Sequence, residues 1–101
     1  MNERVRLGPA AEIPDNDFTV YQLDAVDVVV YKIAGKFYAI GNYCPHAGQS
    51  LSRGPLDGTV ITCPGHGLRF DVITGKCLDM DYLALARFDL ELINGDLYVI
   101  F

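Results

Sequence analysis

The sequence predicts an all-β fold, an antiparallel sandwich or partly open barrel, and three observations carry the prediction. Short stretches of alternating or β-branched apolar residues recur along the chain, turn pairs such as Asn94-Gly95 separate them, and no run of helical period extends beyond about three turns. At 101 residues, half of them apolar, the chain has the size of one domain, 1–101, with material for a single core. Glycine and proline together make 15 residues, too few for a disordered or collagen-like chain.

Taken in order, Asp17 to Leu23 roughly alternates and Val26 to Ala34 is rich in β-branched residues. Phe37 to Ile40 follows across Ala34-Gly35-Lys36, where Gly35 is free to take positive φ, so a hairpin is expected. Between Gly41 and Asp71 the texture changes to loops, with six glycines and the three prolines Pro45, Pro55 and Pro64. Within it Thr59 to Thr62 reads as a strand after the Asp57-Gly58 turn pair, and Arg69 to Val72 as another. Two loops joined by a short hairpin result, a subdomain of about residues 42–72. Tyr82 to Arg87 is short and uncapped and reads as loop or strand. Phe88 to Ile93 alternates apolar and acidic, Asn94-Gly95 turns, and Leu97 to Phe101 returns. Phe88, Leu90 and Leu92 are expected to face the core, with Asp89 and Glu91 toward water.

Charge and cysteine content narrow the function. Eight basic against 13 acidic residues, a net charge of -5, argue against a nucleic-acid partner, which would need its phosphates covered by Lys and Arg. No apolar run approaches the roughly 20 residues that cross a bilayer, so no membrane span is expected. Three cysteines cannot all pair within one chain, and the opening residues lack a secretory apolar stretch. A reducing, cytoplasmic location is expected.

Two clusters carry the chemistry: Cys44-Pro45-His46 and Cys63-Pro64-Gly65-His66, with sixteen residues between them. The only two histidines each stand beside one of the three cysteines, in glycine- and proline-rich loops. Thiolate and imidazole donors at such spacing point to a metal, and the donor types alone leave zinc and iron-sulfur open. An all-cysteine two-iron cluster would need four thiolates, whereas two histidines on one iron solve the count. Cys-x-His, sixteen residues, then Cys-x-x-His resembles the Rieske [2Fe-2S] motif. Residues 38–76 as a whole are similar to the small, low-potential Rieske ferredoxins of bacterial aromatic-ring dioxygenase systems.

That resemblance implies one [2Fe-2S] cluster, with Cys44 and Cys63 on the inner iron and His46 and His66 on an outer iron near solvent. It implies supporting roles for Pro45 and Pro64, which stiffen the loops, and for Gly48, Gly65 and Gly67, whose N–H groups would point at the sulfides. Leu51, Leu68 and Phe70 would keep water off the thiolates, Phe70 serving equally as core of the base. Respiratory-chain Rieske proteins, similar at the ligands, add a disulfide at the positions of Gln49 and Gly65, and hydroxyl donors at those of Leu68 and Phe70. Fewer donors leave the reduced, more negative state less stabilised and place the potential toward the low end of the Rieske range, about -150 mV. Cys77 resembles no ligand and reads as a semi-buried free thiol. A proline loop that the family usually packs on the cluster is replaced by Asp79-Met80-Asp81-Tyr82.

With both histidines engaged, none remains for a catalytic mononuclear iron, and no nucleophile–base pair or phosphate loop is present. A one-electron carrier follows rather than an enzyme, taking electrons from a flavin-dependent ferredoxin reductase and passing them to a terminal oxygenase. Arg53 and Arg69 would give polarity at the docking rim. The small subunit of an assimilatory nitrite reductase resembles the same fold, and a zinc-stabilised binding module is the alternative from another class. The donor argument makes a prediction: Leu68→Ser combined with Phe70→Tyr raises the midpoint potential in a spectroelectrochemical titration, and a decrease counts against it.

Overall fold

Val28, Val29, Val30 and Tyr31 offer no polar face, so a strand containing them must be covered on both sides. The structure, a computed structural model that describes residues 3–24, 26–45, 49–65 and 67–101, covers it on both sides. Nine strands are described: β1 (Arg4–Pro9), β2 (Asp17–Gln22), β3 (Asp27–Ile33), β4 (Lys36–Gly41), β5 (Leu56–Asp57), β6 (Val60–Thr62), β7 (Arg69–Asp71), β8 (Arg87–Ile93) and β9 (Asp96–Ile100). All the pairings between them are antiparallel. Six form one sheet in the order β1-β9-β8-β4-β3-β2, curled into a half-barrel that does not close, and β5-β6-β7 form a second, smaller sheet.

Alternation along β3 and β4 explains how one strand pair serves two cores. Val28 and Val30 of β3 and Ala39 of β4 face the half-barrel interior, where they meet Ala10, Ile13 and Leu97. Val29, Tyr31 and Ile33 of β3 and Ile40 of β4 face the other way, onto a layer containing Ile61, Phe70 and Val72 of the smaller sheet region. Each fully buried side chain of this kind contributes about 1.5–3 kcal/mol. Strand β3 is therefore the partition between the barrel and the smaller sheet.

The turns follow the residues expected to make them. Ala34 (φ 52) and Gly35 (φ 78) both adopt left-handed backbone between β3 and β4, and Asn94 (φ 51) and Gly95 (φ 84) do so between β8 and β9. Two-residue turns with positive φ at both positions match the right-handed strand twist. The β5–β6 hairpin turns at Gly58 (φ 64). Residues 82–86 contain no strand, only an isolated bridge from Lys76 to Ala84.

Strand β1 carries no clear mark in the sequence, because Arg4, Arg6 and Gly8 dilute its apolar pattern. It forms because β9 offers a free edge, and Arg4 and Arg6 reach Glu91 at 3.0 Å and Asp96 at 3.1 Å across the sheet. Leu92 is not a core residue but 58% exposed. Strand β4 pairs with β8 only at Ala39↔Phe88 and Ile40↔Arg87, so the far end of β8 extends past the strand that would have covered Leu92.

The junction between the loops is the tightest point of the fold. Gly54 follows a short 3-10 turn, Leu51–Arg53, and its backbone lies against the strand end just before Cys63. A side-chain carbon added at Gly54 would overlap the carbonyl oxygen of Thr62, a backbone atom that cannot swing away. Gly54→Ala is accordingly expected to cost about 1–3 kcal/mol, the range for forced overpacking. An unchanged denaturation midpoint would refute the contact.

Candidate metal centre

The two cysteine turns are built alike. Strand β4 ends at Gly41, whose N–H donates to the carbonyl of Ala86 at 2.9 Å, and the chain then runs through Asn42 and Tyr43 to Cys44. The Cys44 N–H donates to the Gln49 carbonyl at 2.7 Å. In the second loop, which joins β6 to β7, the Cys63 N–H donates to the Leu68 carbonyl, also at 2.7 Å. Each cysteine thus opens a turn closed on the residue five positions later, and each spends its own amide on that closure. Thr62 and Arg69 pair directly beneath the second turn.

Two contacts join one loop to the other, and a third braces the first loop internally. The Thr62 N–H donates to the Pro55 carbonyl at 3.1 Å, beside the Gly54 approach. The Ser52 N–H donates to Asn42 Oδ1 at 2.8 Å, so the approach to Cys44 is bonded to the 3-10 turn that precedes Gly54. At the tips, a side-chain carbon built on Gly65 would lie 2.8 Å from Gln49 Cγ. The positions that a disulfide joins in the respiratory-chain proteins are therefore neighbours here as well, with a glycine accommodating a glutamine.

Burial separates the site into a dry side and a wet side. Cys44 and Cys63 are each 1% exposed and belong to one apolar layer with Leu51, Leu68 and Phe70. Pro45, Gln49, Pro64, Gly65 and Gly67 are exposed. Two cysteines brought from two loops into one buried apolar layer suit thiolate-bound iron, and Cys63 is a free thiol. His46, Gly48 and His66 lie outside the described residues.

The neighbouring residues take clear parts. Leu68 is 8% exposed and Phe70 wholly buried; Phe70 pairs with Ile61 in the smaller sheet and belongs to the same apolar layer as the cysteines. Gly67 has φ 73 and its N–H donates to the Cys63 carbonyl at 3.0 Å. That corrects one expectation, since this amide is committed to the turn rather than aimed at a sulfide. Cys77 is a buried free thiol bridged to Phe70.

The chain from Leu78 to Leu83 forms the remaining wall. Met80 and Leu83 pack against the cysteine layer, while Leu78 and Tyr82 are exposed. Of the two carboxylates here, Asp81 is exposed and Asp79 is engaged by Arg69: Nη2 donates to Oδ1 at 2.8 Å and Nε to Oδ2 at 3.3 Å. The side-chain hydrogen bond from Arg69, joined by its backbone N–H, holds the Asp79 carboxyl below its ordinary pKa, and the same bond raises that of Arg69. Sequence reasoning singled out neither Gly54 nor Asn42. The glycine after Leu51-Ser52-Arg53 was a signal, but the Thr62 carbonyl that makes it necessary is distant in sequence.

No helix among the described residues is long and apolar enough to cross a membrane. Residues 3–89 match the family model of the Rieske [2Fe-2S] domain. The ferredoxin CarAc of Metapseudomonas resinovorans is 40% identical over 81 residues, which are 79% of this chain and 76% of that protein. The ferredoxin component of the naphthalene 1,2-dioxygenase/salicylate 5-hydroxylase systems of a Ralstonia species is 39% identical over 66% of this chain, and the match spans 64% of that relative's length. Among solved structures, a chain in the complex of reduced oxygenase and oxidized ferredoxin in carbazole 1,9a-dioxygenase superposes with a TM-score of 0.85 at 33% identity, covering 95% of this chain and 91% of that one. With two buried cysteine turns set on such a base, the chain belongs to the Rieske [2Fe-2S] domain family, homologous to the ferredoxin components of aromatic-ring dioxygenase systems.

Proposed function

We propose that this protein is a one-electron carrier of a bacterial ring-hydroxylating dioxygenase system, with a [2Fe-2S] centre held by Cys44, His46, Cys63 and His66. The observation that supports the ligand set most directly is the pair of cysteine turns closed in the same way, by Cys44–Gln49 and Cys63–Leu68 hydrogen bonds, with both cysteines in one buried apolar layer. When bound, such a centre stores a single electron, and neutral imidazoles on one iron place it above an all-thiolate cluster in potential. The chain's own contribution is to keep both sulfurs from water with Leu51, Leu68 and Phe70, while Pro45 and Pro64 stiffen the two loops. Residues 42–72 form the cluster-binding unit in this reading.

The partners are a flavin-dependent reductase as electron source and a terminal oxygenase as acceptor. The related ferredoxin seen in complex with its oxygenase supports the second of these. A net charge of -5 favours basic docking faces on both, and a reducing cytoplasm fits the unpaired thiols of Cys63 and Cys77. The chain is the carrier component and not the oxygenase, and the aromatic substrate never touches it.

Three measurements test this. The protein as purified is expected to be reddish-brown, with about two irons and two acid-labile sulfides per chain and a Rieske-type EPR signal on reduction. His66→Ala is expected to abolish that signal, and an unchanged spectrum removes His66 from the ligand set. A colourless protein carrying one zinc would replace the carrier with a zinc-stabilised module. Electron transfer to the oxygenase should also slow as ionic strength rises through the range where the screening length falls to about 10 Å, and a salt-independent rate would refute charge steering.

A further inference from the structure

We propose that Asp79 and Arg69 form a charge-balanced clasp that braces the Cys63 turn and, by pairing the two charges, protects the reduction potential of the centre from the shift that either charge alone would cause. This inference rests on the reading of Cys63 as a ligand. Its basis is one peptide unit with two engagements. The carbonyl of Leu68 accepts the Cys63 N–H at 2.7 Å, and the N–H of the same peptide, that of Arg69, donates to Asp79 Oδ2 at 2.8 Å. A carboxylate on the N–H end of a peptide polarises its carbonyl, making it the better acceptor for the amide on the other side. Asp79 is thereby connected to the backbone of Cys63 through two hydrogen bonds and one peptide.

Arg69 completes the device. Its guanidinium takes the same carboxylate at 2.8 and 3.3 Å, while the Leu78 N–H donates to the Arg69 carbonyl at 2.8 Å. The wall formed by Leu78 to Leu83 is thus bonded to the second cysteine turn through both ends of Arg69. The Arg69 and Asp79 side chains are 54% and 30% exposed, so the pair adds little to stability. Its consequence is electrical: a fixed negative charge beside an anionic reduced site is cancelled by a fixed positive one. Removing the cation alone disfavours the added electron, and removing the anion alone favours it.

The test is a pair of charge-removing variants in the loaded protein. Arg69→Gln is expected to lower the midpoint potential and Asp79→Asn to raise it, both shifts shrinking as salt is added. The Arg69→Gln/Asp79→Asn double variant returns close to the parent value. A purely mechanical clamp would move both single variants in one direction and would not be repaired by removing both partners. Hydrogen exchange supplies a second readout: Asp79→Ala, which removes the acceptor, should speed exchange across the Cys63–Leu68 turn several-fold. Same-sign shifts, no shift, or unchanged exchange in protein with an intact Rieske spectrum overturn the clasp alone. Absence of iron in the parent protein overturns the ligand reading, and the clasp with it.

Discussion

The close approach of Gly54 to the Thr62 carbonyl is the constraint on which the rest of the site depends. One loop leaves the large sheet from β4 and the other is a turn of the small sheet, so no single secondary structure spans both cysteines. Their relative position is set where the chain leaving the first loop passes against the strand entering the second. With no side chain at residue 54, the Pro55 carbonyl reaches the Thr62 N–H at 3.1 Å, one residue before Cys63. Asn42 carries the same constraint back toward Cys44 through Ser52. The distance between the two sulfurs thus follows from a backbone contact rather than from the sulfurs.

Strand β3 gives that junction a floor. Its Val29 and Tyr31 share a core with Leu51, Ile61, Phe70 and both cysteines, and its Val28 and Val30 share another with the half-barrel. Burial on both faces makes the strand rigid in its register, because a one-residue slip would exchange the two cores. Tyr31 shows the cost of this arrangement. Its hydroxyl is buried with no hydrogen-bond partner among the described residues, and burial drives its pKa up. A polar atom is tolerated there because the ring fills the layer and packs on Phe18 at 5.6 Å.

Much of this was legible in the sequence, for physical reasons that differ by residue. Gly35 and Asn94-Gly95 announce their hairpins because positive φ is a local requirement that few residues meet, whereas Ala34, which adopts it too, carries no such mark. Cys44 and Cys63 announce a metal because thiolates are rarely placed in glycine-proline loops beside histidines without one. Strand β1 was hidden because its strand character comes from pairing with β9, ninety residues away, and Leu92 misled because alternation says which way a side chain points but not whether anything covers it. The bond from Asp79 to the Arg69 amide was equally invisible, since a carboxylate ten residues downstream carries no local mark of its partner.

The apolar choice at Leu68 and Phe70 ties stability to redox function. Phe70 is wholly buried, paired with Ile61 and joined to Cys77 by a backbone bridge, so a hydroxyl on its ring would enter a buried apolar layer. Without a sulfide to receive its hydrogen bond, that hydroxyl would cost roughly 1–3 kcal/mol. Hydroxyl donors at these positions would depend on the cluster for their hydrogen bonds, whereas Leu51, Leu68 and Phe70 have no polar side-chain atom that needs a partner. In the proposed centre, hydroxyl donors missing at these two positions would leave added negative charge less compensated. The side chains that pack the apolar platform would then also favour the lower end of the Rieske range of potentials.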